Sequence, residues 1–82
     1  MDNYNKAIEL NPNFAEAYNN RGAAYGMSGN VGQAITDFTK AVELNPKYAA
    51  AYNNRSLAYE AIGDNARAEA DLAKARALGY KG

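Results

Sequence analysis

The chain repeats itself with a period of 34 residues, and this period constrains its fold more than any other feature. When residues 11–44 are laid over residues 45–78, 16 of the 34 positions are identical. The densest match pairs residues 17–21, Ala-Tyr-Asn-Asn-Arg, with residues 51–55. A repeat of this length is typical of one helix–turn–helix unit in a stacked array. Because one unit cannot bury its apolar face alone, the repeat predicts a single domain of stacked units over residues 1–82.

Turn signals at even intervals divide the chain into helices. Asn-Pro occurs at 11–12 and 45–46, and Gly-Asn or Gly-Asp at 29–30 and 63–64. Proline disfavours helix in the residue before it, glycine can close a helix in the left-handed conformation, and Asn30 or Asp64 can cap the next helix. The stretches between these signals have helical periodicity. The sequence therefore predicts an all-α fold of five helices, antiparallel to their neighbours because the loops are short, at residues 2–10, 15–28, 31–44, 49–62 and 65–78.

Small and large residues alternate on one face of each predicted helix. In helix 15–28 this face carries Tyr18, Gly22 and Tyr25 at positions i, i+4 and i+7. A small residue lets a neighbouring helix approach closely, and the large residues fill the groove on either side. We expect such positions to be core rather than a cofactor or base-stacking site. The other expected core positions are Tyr52, Ser56, Tyr59, Ala34, Phe38, Ala41, Ala68, Leu72 and Ala75.

A pattern of spaced residues recurs once per repeat. Its first copy consists of Tyr18, Arg21, Gly22, Tyr25, Ala34, Phe38 and Pro46, and its second of Tyr52, Arg55, Ser56, Tyr59, Ala68 and Leu72. The pattern resembles that of the tetratricopeptide repeat, with tyrosine for the usual tryptophan and arginine for leucine. The resemblance covers essentially the whole chain. It implies a right-handed α-solenoid with the second half of a repeat at 1–14, a full repeat at 15–48 and a full repeat with a terminal cap helix at 49–82.

The two ends of the predicted array differ. Tyr80 stands where the family has proline, and helix 65–78 carries charges on its outer face, which is expected where an array meets water. Helix 2–10 lacks the first helix of its repeat, so Tyr4 and Ile8 lose part of their cover and the chain resembles the C-terminal piece of a longer array. The compared outer positions are Ile35, Phe38 and Val42 in helix 31–44, and Glu69, Leu72 and Arg76 in helix 65–78.

The resemblance also implies a concave groove lined by the first helix of each repeat. Asn20 and Asn54 would form a ladder whose amides pair with the N–H and C=O groups of an extended peptide. The alternative is that both are ordinary polar groove residues or hydrogen-bond to neighbouring helices. A clamp for a peptide's terminal carboxylate, another binding mode of the family, lacks its charges, since Asn19 and Ala23 stand where lysine and asparagine would be. The predicted peptide-binding residues are Glu16, Asn19, Asn20, Ala23, Met27, Asn53, Asn54, Leu57 and Ala61.

Charged residues are interpreted as structural. Asp37 and Asp71 recur at the repeat period and are predicted to be helix-surface residues that pair with lysines at i+3, Lys40 and Lys74. The recurring arginines, Arg21 and Arg55, are expected to pair with acidic residues of adjacent helices or to lie along the surface with their stems packed. An enzyme needs a nucleophile, base or metal in a cleft, and the chain has no histidine and no cysteine. The sequence predicts no catalysis, no metal site and no cofactor.

Composition narrows the partners. Nine Lys+Arg balance nine Asp+Glu, whereas a nucleic-acid or acidic-lipid binder would show a basic excess. No apolar run approaches the length of a membrane span, and no signal peptide is visible, so a cytoplasmic location is expected. The favoured function is a protein–protein interaction scaffold that binds a peptide or partner segment. The alternative is a self-association element, a homodimer or helix-exchanged oligomer formed through Tyr4 and Ile8.

Overall fold

The structure, a computed structural model, describes residues 2–11 and 13–80, and the burial of side chains from Tyr4 onward. Pro12, one of the predicted turn residues, lies outside the described residues. The described chain contains only helices, which confirms the all-α prediction, and every helix begins and ends within one residue of its predicted bounds. The helices are α1 (Asp2–Leu10), α2 (Ala15–Met27), α3 (Val31–Leu44), α4 (Ala49–Ala61) and α5 (Asn65–Ala77).

Each helix packs on its neighbour in sequence, and α2 also contacts α4. This arrangement places the first helices of the two full repeats side by side. As predicted, Gly29 and Gly63 close α2 and α4 with φ angles of 86° and 81°. Left-handed backbone of this kind is open to glycine at little cost, whereas most other residues are strained there.

The two predicted helix caps behave differently. The Asp64 carboxylate accepts a hydrogen bond from the backbone N–H of Arg67 at 3.3 Å, whereas the Asn30 side chain makes no cap hydrogen bond. Both residues therefore occupy the predicted cap position, but only Asp64 caps its helix with a side-chain hydrogen bond. The Arg67 side chain lies 3.5 Å from the Asp64 carboxylate and helps to orient it. Gln33, at the matching position of α3, offers the neutral Asn30 amide no comparable attraction.

The core consists mainly of alanine, which lets the helix backbones approach closely. One cluster joins Ala34 and Phe38 of α3 to Ala58 of α4, and a second joins Ala41 and Val42 of α3 to Ala51 of α4. Both clusters cross from one repeat to the next. The buried apolar residues are Ala17, Ala34, Phe38, Ala41, Val42, Ala51, Ala58, Ala68 and Ala75.

The predicted close approach at the small position of each repeat is confirmed. A Cβ atom built on Gly22 would lie 2.7 Å from Cε1 and 2.8 Å from Cδ1 of the Phe38 ring. Ser56 holds the matching position of α4, is buried, and donates a hydrogen bond from Oγ to the Ala68 carbonyl at 2.7 Å. In this repeat Leu72 replaces the phenylalanine. Glycine faces the larger phenylalanine, and serine faces the smaller leucine. The pairs Gly22–Phe38 and Ser56–Leu72 therefore fill the same space between two helices in different ways.

The tyrosines predicted to be core are half-buried. Tyr18, Tyr25 and Tyr52 pack against the two core clusters, but none of the four is fully buried. Their rings pack beside the guanidinium groups, with Arg21 Cζ 5.6 Å from the ring centre of Tyr18 and 5.8 Å from that of Tyr25. Arg55 lies at the same distances from the corresponding rings of α4. Arginine in place of the family's leucine carries charge to this position. The rings therefore pack on a cation that remains partly exposed to water.

Asp37 and Asp71 are buried, so the prediction that they pair with lysines on the helix surface is wrong. Each carboxylate accepts two hydrogen bonds from an arginine of the preceding helix, at 2.8 and 2.6 Å from Arg21 and at 2.7 Å twice from Arg55. Both aspartates point toward the first helix of their own repeat, away from solvent. The hydrogen bonds to the carboxylates raise the pKa of both arginines above the usual value, although burial opposes this shift.

Each of these arginines also contacts the preceding repeat. Nη1 of Arg21 donates to Asn5 Oδ1 at 3.1 Å, and Nη1 of Arg55 donates to Thr39 Oγ1 at 3.3 Å. Asn5 and Thr39 are themselves 34 residues apart in the chain. One guanidinium per repeat therefore ties together three helices.

Candidate functional site

A groove runs between α2 and α4, with α3 as its floor. It encloses a volume of about 310 Å³ and opens to solvent. We call it the α2–α4 groove. Its lining residues are Ala23, Gly26, Met27, Val31, Ala34, Phe38, Asn54, Leu57, Ala58 and Ala61.

Two large apolar side chains on the rim of the groove are exposed to solvent. Met27 on α2 is 86% exposed and Leu57 on α4 is 56% exposed, while Ala34 and Phe38 beneath them are buried. Exposed apolar side chains grouped over a cavity mark a contact surface. Methionine suits such a surface because its flexible thioether chain adapts to different partners.

A short hydrogen-bonded chain fixes the only polar side chain among the residues that line the groove. Asn54 Nδ2 donates to Asn19 Oδ1 at 3.0 Å, and Asn19 Nδ2 donates to Tyr48 Oη at 3.3 Å. Asn19 is 7% exposed, so its amide serves the protein interior. The carbonyl oxygen and second amide hydrogen of Asn54 make no hydrogen bond within the described residues. This oriented amide can still donate to and accept from a ligand.

The Tyr48 hydroxyl at the end of this chain has a raised pKa. Burial is the largest cause, the hydrogen bond from Asn19 opposes it, and the negative charge of Glu16 adds to it. Glu16 is therefore close enough to Tyr48 for its charge to act on the phenol.

The structure brings five of the nine predicted groove residues to the cavity and places the other four elsewhere. Asn19 lies beneath the groove, and Asn53 donates from Nδ2 to Tyr80 Oη at 3.2 Å. Asn20 is half-buried and its amide makes no hydrogen bond within the described residues, while Glu16 is exposed. The Asn54 amide already donates one hydrogen bond to Asn19 of the neighbouring helix α2. The ladder in which Asn20 and Asn54 bind a peptide backbone stays a prediction. The five that line the cavity are Ala23, Met27, Asn54, Leu57 and Ala61.

Sequence reasoning missed the floor of the groove and the residue that supports its amide. The sequence predicts Phe38 to be a packing residue and predicts no role for Val31, yet both line the cavity. The residue that supports the amide is Tyr48. Its signal is visible in the repeat: the matching position of the first copy is Phe14, so the second copy gains a hydroxyl next to a recurring asparagine.

The predicted self-association surface lies on the first helix. Tyr4 is 36% exposed and Ile8 is half-buried under the packing of α1 on α2. Leu10, 77% exposed, and Phe14, 40% exposed, add apolar surface at the end of this helix. On α5, Glu69 and Arg76 are exposed at the positions where α3 has Ile35 and Val42. That α5 is a terminal cap stays a prediction.

The described chain offers neither a membrane-spanning helix nor a cluster of acidic metal ligands. No helix among residues 2–11 and 13–80 combines the length and apolar character needed to cross a membrane. In the same residues, Asp and Glu side chains form no group of three that could hold a metal ion.

Two family models, both described as tetratricopeptide repeat, match residues 15–48 and 38–70, which together make up more than half of the chain. No curated protein gives a significant match to the sequence. Among solved structures, the crystal structure of MamA is 32% identical, with a TM-score of 0.89 over 94% of this chain and 45% of that chain.

Two further solved structures are described as binding peptides. The first TPR of Spaghetti (RPAP3), bound to the HSP90 peptide SRMEEVD, is 29% identical, with a TM-score of 0.93 over 95% of this chain and 62% of that chain. YrrB, described as a TPR protein with an unusual peptide-binding site, is 26% identical, with a TM-score of 0.92 over 96% of this chain and 41% of that chain. The chain thus spans between 41% and 62% of the length of these three structures. The matches confirm the predicted right-handed α-solenoid.

Proposed function

Because the chain belongs to the tetratricopeptide repeat family, whose members act as protein-interaction scaffolds, we propose that it holds a segment of a partner protein in the α2–α4 groove. It does so without catalysis, metal or cofactor. Asn54 supplies the oriented amide, and the apolar rim supplies most of the contact. Ala23, Met27, Leu57 and Ala61 line this surface with Asn54. Glu16, Asn20 and Asn53 are proposed to extend it, and the buried Asn19 supports Asn54 from beneath.

The exposure of Met27 and Leu57 above one cavity is the observation that carries this proposal. Neither side chain is needed to close the core beneath it, and both lose contact with water only if something else covers them. Covering each of them contributes about 1–2 kcal/mol, since a fully buried side chain of this size contributes about 1.5–3 kcal/mol. Asn54 then sets the register of the bound segment by hydrogen bonding.

The experiment is a titration of ¹⁵N-labelled protein with a peptide library, followed by matched variants with the peptides that bind. Leu57→Glu places a charge in the groove and is expected to weaken binding at least tenfold. Ile62→Glu is the control, because Ile62 is 57% exposed and lies just after α4 but does not line the groove. Shifts of α1 amides instead of α2 and α4 amides, or equal losses in the two variants, would contradict the proposal.

Self-association is the second candidate function, and the apolar surface of α1 favours it. Tyr4, Leu10 and Phe14 are exposed on or next to this helix. A second copy could cover them in a homodimer or by exchange of helices. Light scattering over a concentration series is expected to show a dimer that Ile8→Glu dissociates. Leu10→Glu is the companion variant, because this residue is largely exposed and its substitution leaves the packing of α1 on α2 intact. A constant monomer mass at all concentrations would exclude this function.

We further propose that protein, rather than nucleic acid or membrane, is the partner class, given the balanced charge of the chain. A cytoplasmic location is proposed with it, because a chain without cysteine needs no oxidising compartment to fold.

The domain is proposed to consist of the half repeat 1–14 and the repeats 15–48 and 49–82. Limited proteolysis that cuts first near residue 48 would contradict a single folded unit, and fractionation of cells would check the location.

A further inference from the structure

We infer that the partner segment carries two features: an apolar side chain for the α2–α4 groove and a lysine or arginine about three residues away. The basic side chain would enter a second cavity on the other side of α4. This inference rests on the proposed function and specifies the chemistry of its ligand.

The second cavity, of about 200 Å³, lies between α4 and α5 and is lined by Ser56, Glu60, Asn65, Ala68, Glu69 and Leu72. It occupies the same place in its repeat as the α2–α4 groove does in the preceding one. Asn65 matches Val31, and Leu72 matches Phe38. The decisive difference is Glu60, which stands where the first groove has Gly26. The two cavities are thus successive positions along one face, the first apolar and the second acidic.

The residues that line the second cavity include two acidic side chains and no basic one. Glu60 and Glu69 are exposed, and neither takes part in an ion pair there. The arginines of α2 and α4 cannot compensate, because Asp37 and Asp71 hold both of them in bidentate pairs.

Of the basic residues of α5, Lys74 and Arg76 lie in its last turn and do not line the cavity, and Arg67 in its first turn is engaged elsewhere. It pairs with Asp64 and lies over the Tyr59 ring at 5.9 Å. The charges left free on α2 and α4 are therefore Glu16 and Glu60, both negative. A positively charged segment is attracted to this face and an acidic one is repelled.

The apolar part of the second cavity favours a long basic side chain over a small cation. Leu72 is half-buried and Ala68 is buried, so they offer apolar surface below the carboxylates. Lysine and arginine pack their methylene stems on such surface while the charged end stays near water and the acidic groups. Ser56 does not compete for this charge, because its hydroxyl already donates to the Ala68 carbonyl.

The width of α4 sets the spacing between the two anchors. Leu57 and Ala61 face the α2–α4 groove, whereas Ser56 and Glu60 face the second cavity. Packed helices have axes about 8–10 Å apart. An extended segment advances about 3.3 Å per residue, so about three residues cross α4. The ligand is then an apolar residue and a basic residue at positions i and i+3, in either direction.

The experiment compares four peptides of equal length with the intact protein, by fluorescence anisotropy at low and physiological salt. Three carry leucine at one position and lysine, glutamine or glutamate three residues later, and the fourth carries lysine directly after leucine. The lysine peptide at i+3 is expected to bind about two- to fivefold more tightly than the glutamine peptide, the effect of an exposed charge pair. The glutamate peptide is expected to bind more weakly than both, and added salt is expected to narrow the differences.

Variants assign the effect to the second cavity. Glu60→Gln is expected to bring the lysine peptide to the affinity of the glutamine peptide. Glu43→Gln, which removes an exposed charge from α3, is expected to leave the difference unchanged. The inference is overturned if glutamate and lysine peptides bind equally, or if both variants behave alike. In that case, the proposed function is still supported if the peptides bind the Leu57→Glu variant more weakly than the unmodified protein. If none of the four peptides binds, and no library peptide binds, the inference and the proposed function are both wrong.

Discussion

Replacing Gly22 with alanine adds one carbon atom to a contact between α2 and α3 that has no room for it. The new Cβ atom would lie 2.7 and 2.8 Å from two atoms of the Phe38 ring, and 3.1 Å from Cβ of Asp37. Carbon atoms in contact prefer about 3.5–4.0 Å. The ring is 3% exposed and packs against Ala34 and Ala58, so it cannot swing into solvent. Either α2 must move away from α3 or the ring must leave its preferred position.

The expected net effect is a loss of about 1 kcal/mol in the free energy of unfolding. Alanine in place of glycine inside a helix stabilises it by about 0.8–1 kcal/mol. Forcing an extra methyl group into a packed core costs about 1–3 kcal/mol, which outweighs this gain. For a domain of this size, the loss lowers the melting temperature by about 4–8 °C. Urea denaturation followed by circular dichroism measures the change.

The chain supplies both a control and a rescue for this prediction. A Cβ atom on Gly32 of α3 meets nothing within 4 Å, so Gly32→Ala is expected to stabilise the protein by about 1 kcal/mol. In a Phe38→Leu background, which copies the Leu72 of the second repeat, Gly22→Ala is expected to become stabilising. If Gly22→Ala alone raised stability as much as Gly32→Ala, the packing argument would be refuted.

Three further predictions concern polar contacts, each measured by urea denaturation. Asn19→Ala is expected to lower the free energy of unfolding by about 1–2 kcal/mol, because it removes a buried amide that is hydrogen-bonded. Asn20→Ala, the control, is expected to change it by less than about 0.5 kcal/mol. Equal effects of the two substitutions would contradict the hydrogen-bond assignment. Asp71→Ala is expected to cost about 3 kcal/mol by stranding Arg55, and the double change Arg55→Met/Asp71→Leu to restore most of it. The pKa of Tyr48 is raised above 10.0, so its contribution to stability is present below that pH and is lost as pH rises past it. Between about pH 9 and 11, Tyr48→Phe should therefore lose less stability than the unmodified protein.

The helices were predictable because their signals are local. Gly29 and Gly63 mark helix ends through a backbone conformation that depends on one residue. The 34-residue period then gave the stacking order, since each repeat must bury its face against the next.

The same local reasoning failed for Asp37 and Asp71. It assigned each aspartate a lysine on its own helix, whereas the partner is an arginine 16 residues earlier on the preceding helix. The expectation that Arg21 and Arg55 pair with acidic residues of adjacent helices is confirmed, but it did not name those residues. The information was present in the repeat, because an arginine and an aspartate recur together at that separation. A charged pair that repeats as a unit indicates a contact between helices.

The walls of the groove could be predicted from the sequence, but its hydrogen bonding could not. Asn19, Asn20, Asn53 and Asn54 are adjacent pairs of the same residue type, so spacing alone does not tell which amide turns inward. The position of Tyr48, at the start of α4, decides this by offering a phenol to Asn19. Such a choice depends on the placement of a loop, which the helical periodicity does not determine.

The hydrogen bond from each arginine to the preceding repeat makes the architecture extendable. Arg21 and Arg55 use the same nitrogen atom to reach residues 34 positions apart, so the junction between units is the same wherever it occurs. An inserted copy of residues 15–48 would bring its own arginine, its own aspartate and an acceptor equivalent to Thr39 for the unit that follows. Longer synthetic arrays could therefore be assembled by duplicating this segment, with no redesign of the junctions and with one additional groove for each copy.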